Sequence, residues 1–316
     1  MIDGDRARTL VVVNPASAGG RTMQRWPGSA ALLQGLGVDF HVHFTTAPGD
    51  ATTAVRSALR DGTQRVVAVG GDGTLNEVVN GFFDDDGTPL GDDVVLGVVP
   101  SGSGGDFRRT ADIARTPVES TRLLAAAAAR RVDIGRITFA DGSRRHFINI
   151  ADCGIGGEVV ARVNSNGYKG GGLRGSAVFL YESLAALVRY GGRAVRITMD
   201  GDTVERMVQS VVVANGRYFG GGMCVAPGAE LCDGVFDVVV IDAMSRTRAM
   251  TSMPALYRGS HVRMNGVSVR RAREVRIEHL ERPLLFDVEG EQVGETPATI
   301  TCLPGAVRLV MGPGGR

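Results

Sequence analysis

The stretch Arg65-Val66-Val67-Ala68-Val69-Gly70-Gly71-Asp72-Gly73-Thr74-Leu75-Asn76-Glu77-Val78-Val79 decides how the first half of the chain is read. Val66 to Val69 is a short apolar run of the kind found in strands buried on both faces. It stops at Gly70-Gly71-Asp72-Gly73, where three glycines permit positive φ and let a ligand reach bare backbone. A helix follows. Thr74 and Glu77 have capping-box spacing, and Leu75, Val78, Val79 and Phe82 fall on one apolar helix face. Strand, turn and helix without slack aim backbone N–H groups and a helix N-terminus at one point, which suits phosphate. Asp72 in such a turn makes chemical sense if a divalent cation lies between it and phosphate oxygens.

The 316 residues suffice for two domains, and 43% hydrophobic against 22% charged residues describes a globular chain. Net charge is +1, unevenly placed: residues 1–133 carry 13 basic and 16 acidic side chains, residues 134–316 carry 22 and 18. The second half is therefore the better partner for an anionic surface. Cys153, Cys224, Cys232 and Cys302 show neither C-x-x-C pairing nor zinc spacing, so reduced thiols in a cytoplasmic setting are expected. Met1 to Arg8 is polar, no leader is expected, and no run of eighteen apolar residues would span a membrane. Lys169 is the sole lysine, which excludes a Walker-type phosphate loop.

Thr9 to Val13 reads as a first buried strand, ending in the small-residue loop Asn14-Pro15-Ala16-Ser17-Ala18. Ser29 to Leu36 reads as a helix, Val38 to Phe44 as a strand and Ala51 to Arg60 as a helix. His41 and His43 could ligate a metal, but the polar face of that strand is the reading adopted. Asp84-Asp85-Asp86, before Gly87, reads as a solvated loop. Val94 to Val99 is another strand, and it ends in a second glycine turn, Pro100-Ser101-Gly102-Ser103-Gly104-Gly105-Asp106. Glu119 to Arg131 reads as an Ala-rich helix. Past Asp133 the pattern changes to hairpins with Asp-Gly turns at Asp141-Gly142 and Asp200-Gly201, which suggests a β-rich second domain. Leu173 to Tyr190 reads as a helix, core-facing or lying over a lipid. Arg270, Arg271, Arg273 and Arg276 could meet a headgroup or simply face water, and Thr299 to Leu303 and Val307 to Met311 read as closing strands.

Gly70-Gly71-Asp72-Gly73-Thr74 with Asn76-Glu77 resembles the nucleotide loop of the diacylglycerol kinase catalytic-domain family, which includes bacterial soluble lipid kinases and sphingosine and ceramide kinases. Four motifs match in order over nearly the whole chain. The resemblance implies an α/β domain with an open, mostly parallel sheet (residues 1–133, with about 306–316 returning to it) joined to a β-sandwich (134–305), the active site lying in the cleft. It implies an ATP- and Mg²⁺-dependent lipid kinase, with diacylglycerol phosphorylated to phosphatidic acid as the leading reaction. Asn14, Pro15, Ala16, Ser17, Ala18, Thr45, Gly70, Gly71, Asp72, Gly73, Thr74, Leu75, Asn76, Ser103 and Asp133 would then meet the nucleotide, Asp72 and Asp106 would organise metal and water, and Glu291 would be the general base. Glu230, Asp233 and the Val235 carbonyl would hold a structural Mg²⁺. Ser103, Gly105 and Glu289 stand where the family pattern has Thr, Asn and Asp. The lipid would be presented by the inner face of a membrane in transient peripheral contact. Nucleic acid is not an expected partner, and a homodimer is compatible with the reading. An NAD kinase-like enzyme, a non-catalytic nucleotide-binding regulator and a kinase for sphingoid or other lipids remain as alternatives.

Overall fold

A computed structural model describes residues 9–91, 93–101, 105–126, 128–165 and 190–316. The chain forms two compact units, residues 1–132 with 305–316 and residues 133–304.

The first unit alternates strands and helices: β1 (Thr9–Val13), α1 (Arg21–Gly35), β2 (Phe40–Phe44), α2 (Asp50–Arg60), β3 (Arg65–Gly70), α3 (Asp72–Asn80), β4 (Val95–Pro100), α4 (Asp106–Thr110) and α5 (Pro117–Ala126). β5 (Ala129–Phe139) starts in it. Its sheet is parallel, with β1 between β2 and β3 and with β4 beyond β3. Arg308 and Leu309, near the end of β17 (Ala298–Val310), pair in parallel with Val95 and Leu96. Because β1 is flanked by β2 on one side and β3 on the other, the connections leaving β1 and β3 diverge. That switch point, at the carboxyl ends of the strands, is where open α/β sheets take ligands.

Several elements differ from expectation. α1 begins at Arg21 and runs through Pro27. Burial of Thr22 and of Trp26, whose ring packs edge-on against Phe40 and Phe44, outweighs the hydrogen bond that Pro27 cannot donate. α3 begins at Asp72 behind Gly71 without a side-chain cap, because the Thr74 hydroxyl accepts from Asn14 and Glu77 accepts from the Ala51 amide. The capping box is therefore not formed. α5 ends at Ala126, and Arg130 and Arg131 already belong to β5. The two closing strands are one, β17.

The second unit is antiparallel: β6 (Arg144–Phe147), β7 (Ile150–Gly154), α6 (Ile155–Ser165), β8 (Arg193–Met199), β9 (Asp202–Ala214), β10 (Tyr218–Phe219), β11 (Met223–Cys224), β12 (Phe236–Asp242), α7 (Arg246–Arg258), a 3-10 turn (Ser260–Arg263), β13 (Val267–Ala272), β14 (Glu274–His279), β15 (Leu285–Val288) and β16 (Glu291–Glu295). The long β9 pairs with β8 through its first half and with β7 and β12 through its second. Val211, Val213, Val238 and Val240 enter the main core, while Val212, Ala214 and Val239 face a second apolar cluster on the opposite side. Both faces are covered, which is why these strands read as unbroken apolar runs. The helix expected from Leu173 to Tyr190 lies outside the described residues except for Tyr190.

Phe147 stacks on Phe236 at 5.8 Å, and both are fully buried. Phe236→Ala is expected to cost about 3–5 kcal/mol in urea unfolding. A loss below about 1 kcal/mol would contradict this packing.

Candidate active site

Four loops leave the carboxyl ends of β1 to β4, and hydrogen bonds tie three of them together. Asn14 donates from Nδ2 to Thr74 Oγ1 at 3.0 Å, bridging the switch point, while its Oδ1 accepts from the Ala16 amide. Gly70 must be glycine, since a Cβ there would lie 2.5 Å from Thr74 Oγ1. The Ser101 amide donates to the Gly70 carbonyl at 2.7 Å. Thr22 Oγ1 donates to Ser101 Oγ at 2.7 Å and lies 2.8 Å from Ser17 Oγ. Thr22 and Ser101 were not singled out in the sequence. Both are hydroxyl residues beside glycine turns, a signal too common to select them.

The second glycine turn is held by Asp72, whose Oδ2 accepts from the amides of Gly105 (3.0 Å) and Asp106 (3.2 Å). Asp106 is buried, and Arg109 Nε lies 3.7 Å from its Oδ1. Burial raises the Asp72 pKa, and the charge of Asp106 adds to the rise, while the amides of Asp106, Gly105 and Phe107 oppose it. Burial lowers the Arg108 pKa, Arg109 and Arg115 add to the effect, and Asp72 and Asp106 oppose it. Two enclosed carboxyls that disfavour each other's charge, beside turn amides and arginines, suit a divalent cation with phosphate.

The remaining predicted residues distribute as follows. Pro15, Ala16 and Ala18 lie on the β1 loop, with Ala18 at φ 56°. Thr45 closes β2, its amide donating to the Val13 carbonyl. Gly71 and Gly73 flank Asp72. Leu75 and Asn76 are buried inside α3, where the Asn76 side chain accepts from Asn80, so these two residues support the turn from within. Ser103 lies outside the described residues. Asp133 belongs to the second unit, where it is buried and its Oδ2 accepts from the Gly234 amide at 2.7 Å. His43 pairs with Asp50 at 3.1 Å, which fits the polar-face reading.

In the second unit, Glu291 Oε2 accepts from Arg145 Nη2 at 2.7 Å, which fixes the carboxylate at the start of β16. Glu289 has φ 55°, and its Oε1 accepts from the amides of Ile148 and Asn149, each at 2.7 Å. The longer side chain at this position is thus committed to the loop before β7. Asp233 is fully engaged, with Oδ1 accepting from the Val235 amide at 3.2 Å and Oδ2 ion-paired to Arg271. Glu230 is exposed. In this structure the Asp233 carboxylate, one of the three expected cation ligands with Glu230 and the Val235 carbonyl, has Arg271 as its charged partner. Arg270 and Arg276 also pair with acids, Asp202 and Glu278, so most of the arginine cluster is neutralised on its own surface.

Comparison with known proteins gives the class. Residues 8–137 match the diacylglycerol kinase catalytic domain and residues 150–311 the YegS C-terminal NAD kinase beta sandwich-like domain. The chain belongs to this family of lipid kinases. It is 27% identical over 308 residues to a diacylglycerol kinase of Mycobacterium tuberculosis, covering 96% of this chain and 94% of that protein. It is 30% identical over 287 residues to the "Probable lipid kinase YegS-like" protein of Xanthomonas oryzae pv. oryzae, covering 89% of each. A crystal structure from Bacillus anthracis str. Sterne superimposes with TM-score 0.80 over 100% of this chain and 99% of its own, at 23% identity. A second from the same organism, described as a diacylglycerol kinase, gives TM-score 0.69 over 98% of each chain. These structures share the fold.

Because the Asp72 pKa is raised in the fold, its charge opposes folding above the ordinary carboxylate range and ceases to do so as acid protonates it. Asp72→Asn keeps an oxygen for the two amides. It is expected to raise the Tm of the nucleotide-free protein at neutral pH by roughly 2–4 °C, with the gain vanishing in acid. A lower Tm at neutral pH in scanning calorimetry would contradict this.

Proposed function

We propose that the chain transfers the γ-phosphoryl group of ATP, with Mg²⁺, to a lipid hydroxyl, and that diacylglycerol is one acceptor, giving phosphatidic acid. The observation that carries the reading is the Asp72 carboxylate bound to two amides of the neighbouring glycine turn. That contact ties the end of the β3 turn to the start of α4. In this reading the turn amides at Gly70, Gly71 and Gly73 cradle phosphate oxygens, and Arg108 and Arg109 balance their charge. Asn14, Ser17 and Thr45 line the rest of the nucleotide site. Mg²⁺, held by Asp72 and Asp106, would supply neutralisation of the triphosphate. Glu291, oriented by Arg145, takes the acceptor's proton. Most of the acceleration then comes from positioning and charge placement.

Among the described residues no helix is long and apolar enough to cross a membrane. Transient contact with a bilayer's inner face, from which the acceptor is drawn, is part of the proposal.

The test is transfer of labelled γ-phosphate from Mg-ATP into organic-extractable product with diacylglycerol mixed micelles, with NAD offered in parallel. Labelled lipid is expected, and Glu291→Ala should lower the rate by about a hundredfold or more with the fold retained. Labelled NADP without labelled lipid would overturn the lipid reading. Full activity in Glu291→Ala would overturn the assignment of the base.

A further inference from the structure

α4 has five residues, too few to be stable as a helix by themselves. Yet it carries three groups assigned above to the phosphates and their metal: Asp106, Arg108 and Arg109. Phe107 and Thr110 are buried and fix its inner face. Its two ends are fixed by separate contacts. Asp72 holds the first, through the Gly105 and Asp106 amides.

The other end is held by residues far along the chain. After β17, residues 312–316 run past the end of α4 and donate three amides to it. The Gly312 amide donates to the Ala111 carbonyl at 3.0 Å, and the Arg316 amide to the Thr110 carbonyl at 3.2 Å. The Gly314 amide donates to Asp112 Oδ2 at 2.9 Å. The last carbonyls of a helix have no partner within it, so these bonds complete α4 from outside. Asp112 follows the C-cap Ala111 at φ 51°, the left-handed conformation that ends many helices and that Asp adopts more readily than most residues.

The approach is close enough to dictate residue type. A Cβ on Gly312 would lie 2.1 Å from the Asp112 carbonyl oxygen, and one on Gly315 would lie 2.8 Å from the Ala111 carbonyl oxygen. On Gly314 a Cβ would meet only the Asp112 side chain, at 3.1 Å. The segment is itself anchored. Arg308 and Leu309 pair in parallel with Val95 and Leu96 of β4, the strand that opens into the second glycine turn. Arg130 Nη1 donates to the Gly315 carbonyl at 2.9 Å, and Met311 is buried. All of these residues belong to the first unit.

We propose that residues 312–316 are a strap that sets the orientation of α4, and that Asp112 is a positioning residue for phosphoryl transfer, acting through Asp106 and Arg109 by holding the helix that carries them; the inference rests on the kinase reading above. Such a strap serves the phosphates and metal and leaves the acceptor's site alone. Its loss is therefore read in the nucleotide and not in the lipid.

The test compares wild type with Gly312→Ala, Gly314→Ala, Asp112→Gly and Asp112→Asn in the full chain, each at a temperature where circular dichroism shows it folded. Asp112→Gly keeps the left-handed backbone and removes the acceptor, whereas Asp112→Asn keeps both. The readouts are calorimetric titration of Mg-ATP, KM for dioctanoylglycerol in mixed micelles, and hydrogen exchange of the amides of residues 107–113. Gly312→Ala is expected to weaken Mg-ATP binding by about tenfold or more and to speed that exchange, while KM for dioctanoylglycerol changes by less than about twofold. Asp112→Gly should weaken Mg-ATP by about threefold or more, and Asp112→Asn and Gly314→Ala should stay within about twofold of wild type. If Gly312→Ala does not fold, the Asp112 pair decides. Wild-type Mg-ATP binding by Gly312→Ala and Asp112→Gly, equal losses for nucleotide and lipid, or Asp112→Asn as impaired as Asp112→Gly would overturn the inference. Absence of Mg-ATP binding and transfer in wild type would overturn the kinase reading instead. The exchange rates then decide the strap alone, which stands if Asp112→Gly speeds exchange and Asp112→Asn does not, and falls if neither does.

Discussion

The first unit depends on one hydrogen-bonded carboxylate. Asp72 sits at the start of α3, yet its Oδ2 is committed to amides at the start of α4. It adds to the Ser101–Gly70 backbone bond in joining the elements after β3 and β4, and so offsets part of the ordering entropy that glycine carries. With it, the turns after β3 and β4 have one relative geometry. The Asn14–Thr74 bond adds the loop after β1, and the Thr22–Ser101 bond ties α1 to the same frame. The arrangement is strained electrostatically, because Asp72 and Asp106 are enclosed like charges. Carboxyls perturbed in this way mark a candidate functional site.

The second unit works by a different constraint, coverage of both faces of β7, β9 and β12. One face is a filled core with Phe147 against Phe236. The other is covered by α6 and α7 and keeps a cavity instead of a filled contact. Methionines line that space, and their unbranched, polarizable side chains suit irregular gaps. The carboxyls of Asp152 and Asp287, which also line it, are tolerated only because a serine hydroxyl and backbone amides partly satisfy them. Arg145 on Glu291 and Arg271 on Asp233 show the same device at half-exposed positions, where an arginine fork fixes a carboxylate's orientation.

The fold class was legible because buried parallel strands, glycine turns and Asp-Gly hairpins are local signals. So were Asp72 and the glycine turns, where several small residues and one acid leave few other readings. What was not legible was tertiary. Pro27 reads as a helix breaker, and only the packing of Trp26 on Phe40 and Phe44 shows why the helix continues. Thr74 reads as a cap, and only the spatial neighbour Asn14 shows where its hydroxyl goes. Asp133 reads as a third acid of the nucleotide site, and its bond to the distant Gly234 amide is a tertiary contact that no spacing announces. Asp152 and Asp287 are hidden in apolar runs. Their shared face emerges only once β7 is known to pair with β15.

Calorimetric titration of ATP, with and without Mg²⁺, into wild type and Asp72→Asn tests the central role of Asp72 most directly. The account predicts tight binding by wild type only with Mg²⁺. It predicts that Asp72→Asn keeps its fold but loses the Mg²⁺-dependent part of the affinity. Mg-ATP binding by Asp72→Asn equal to wild type would show that the Asp72 charge shapes the turns without serving the nucleotide.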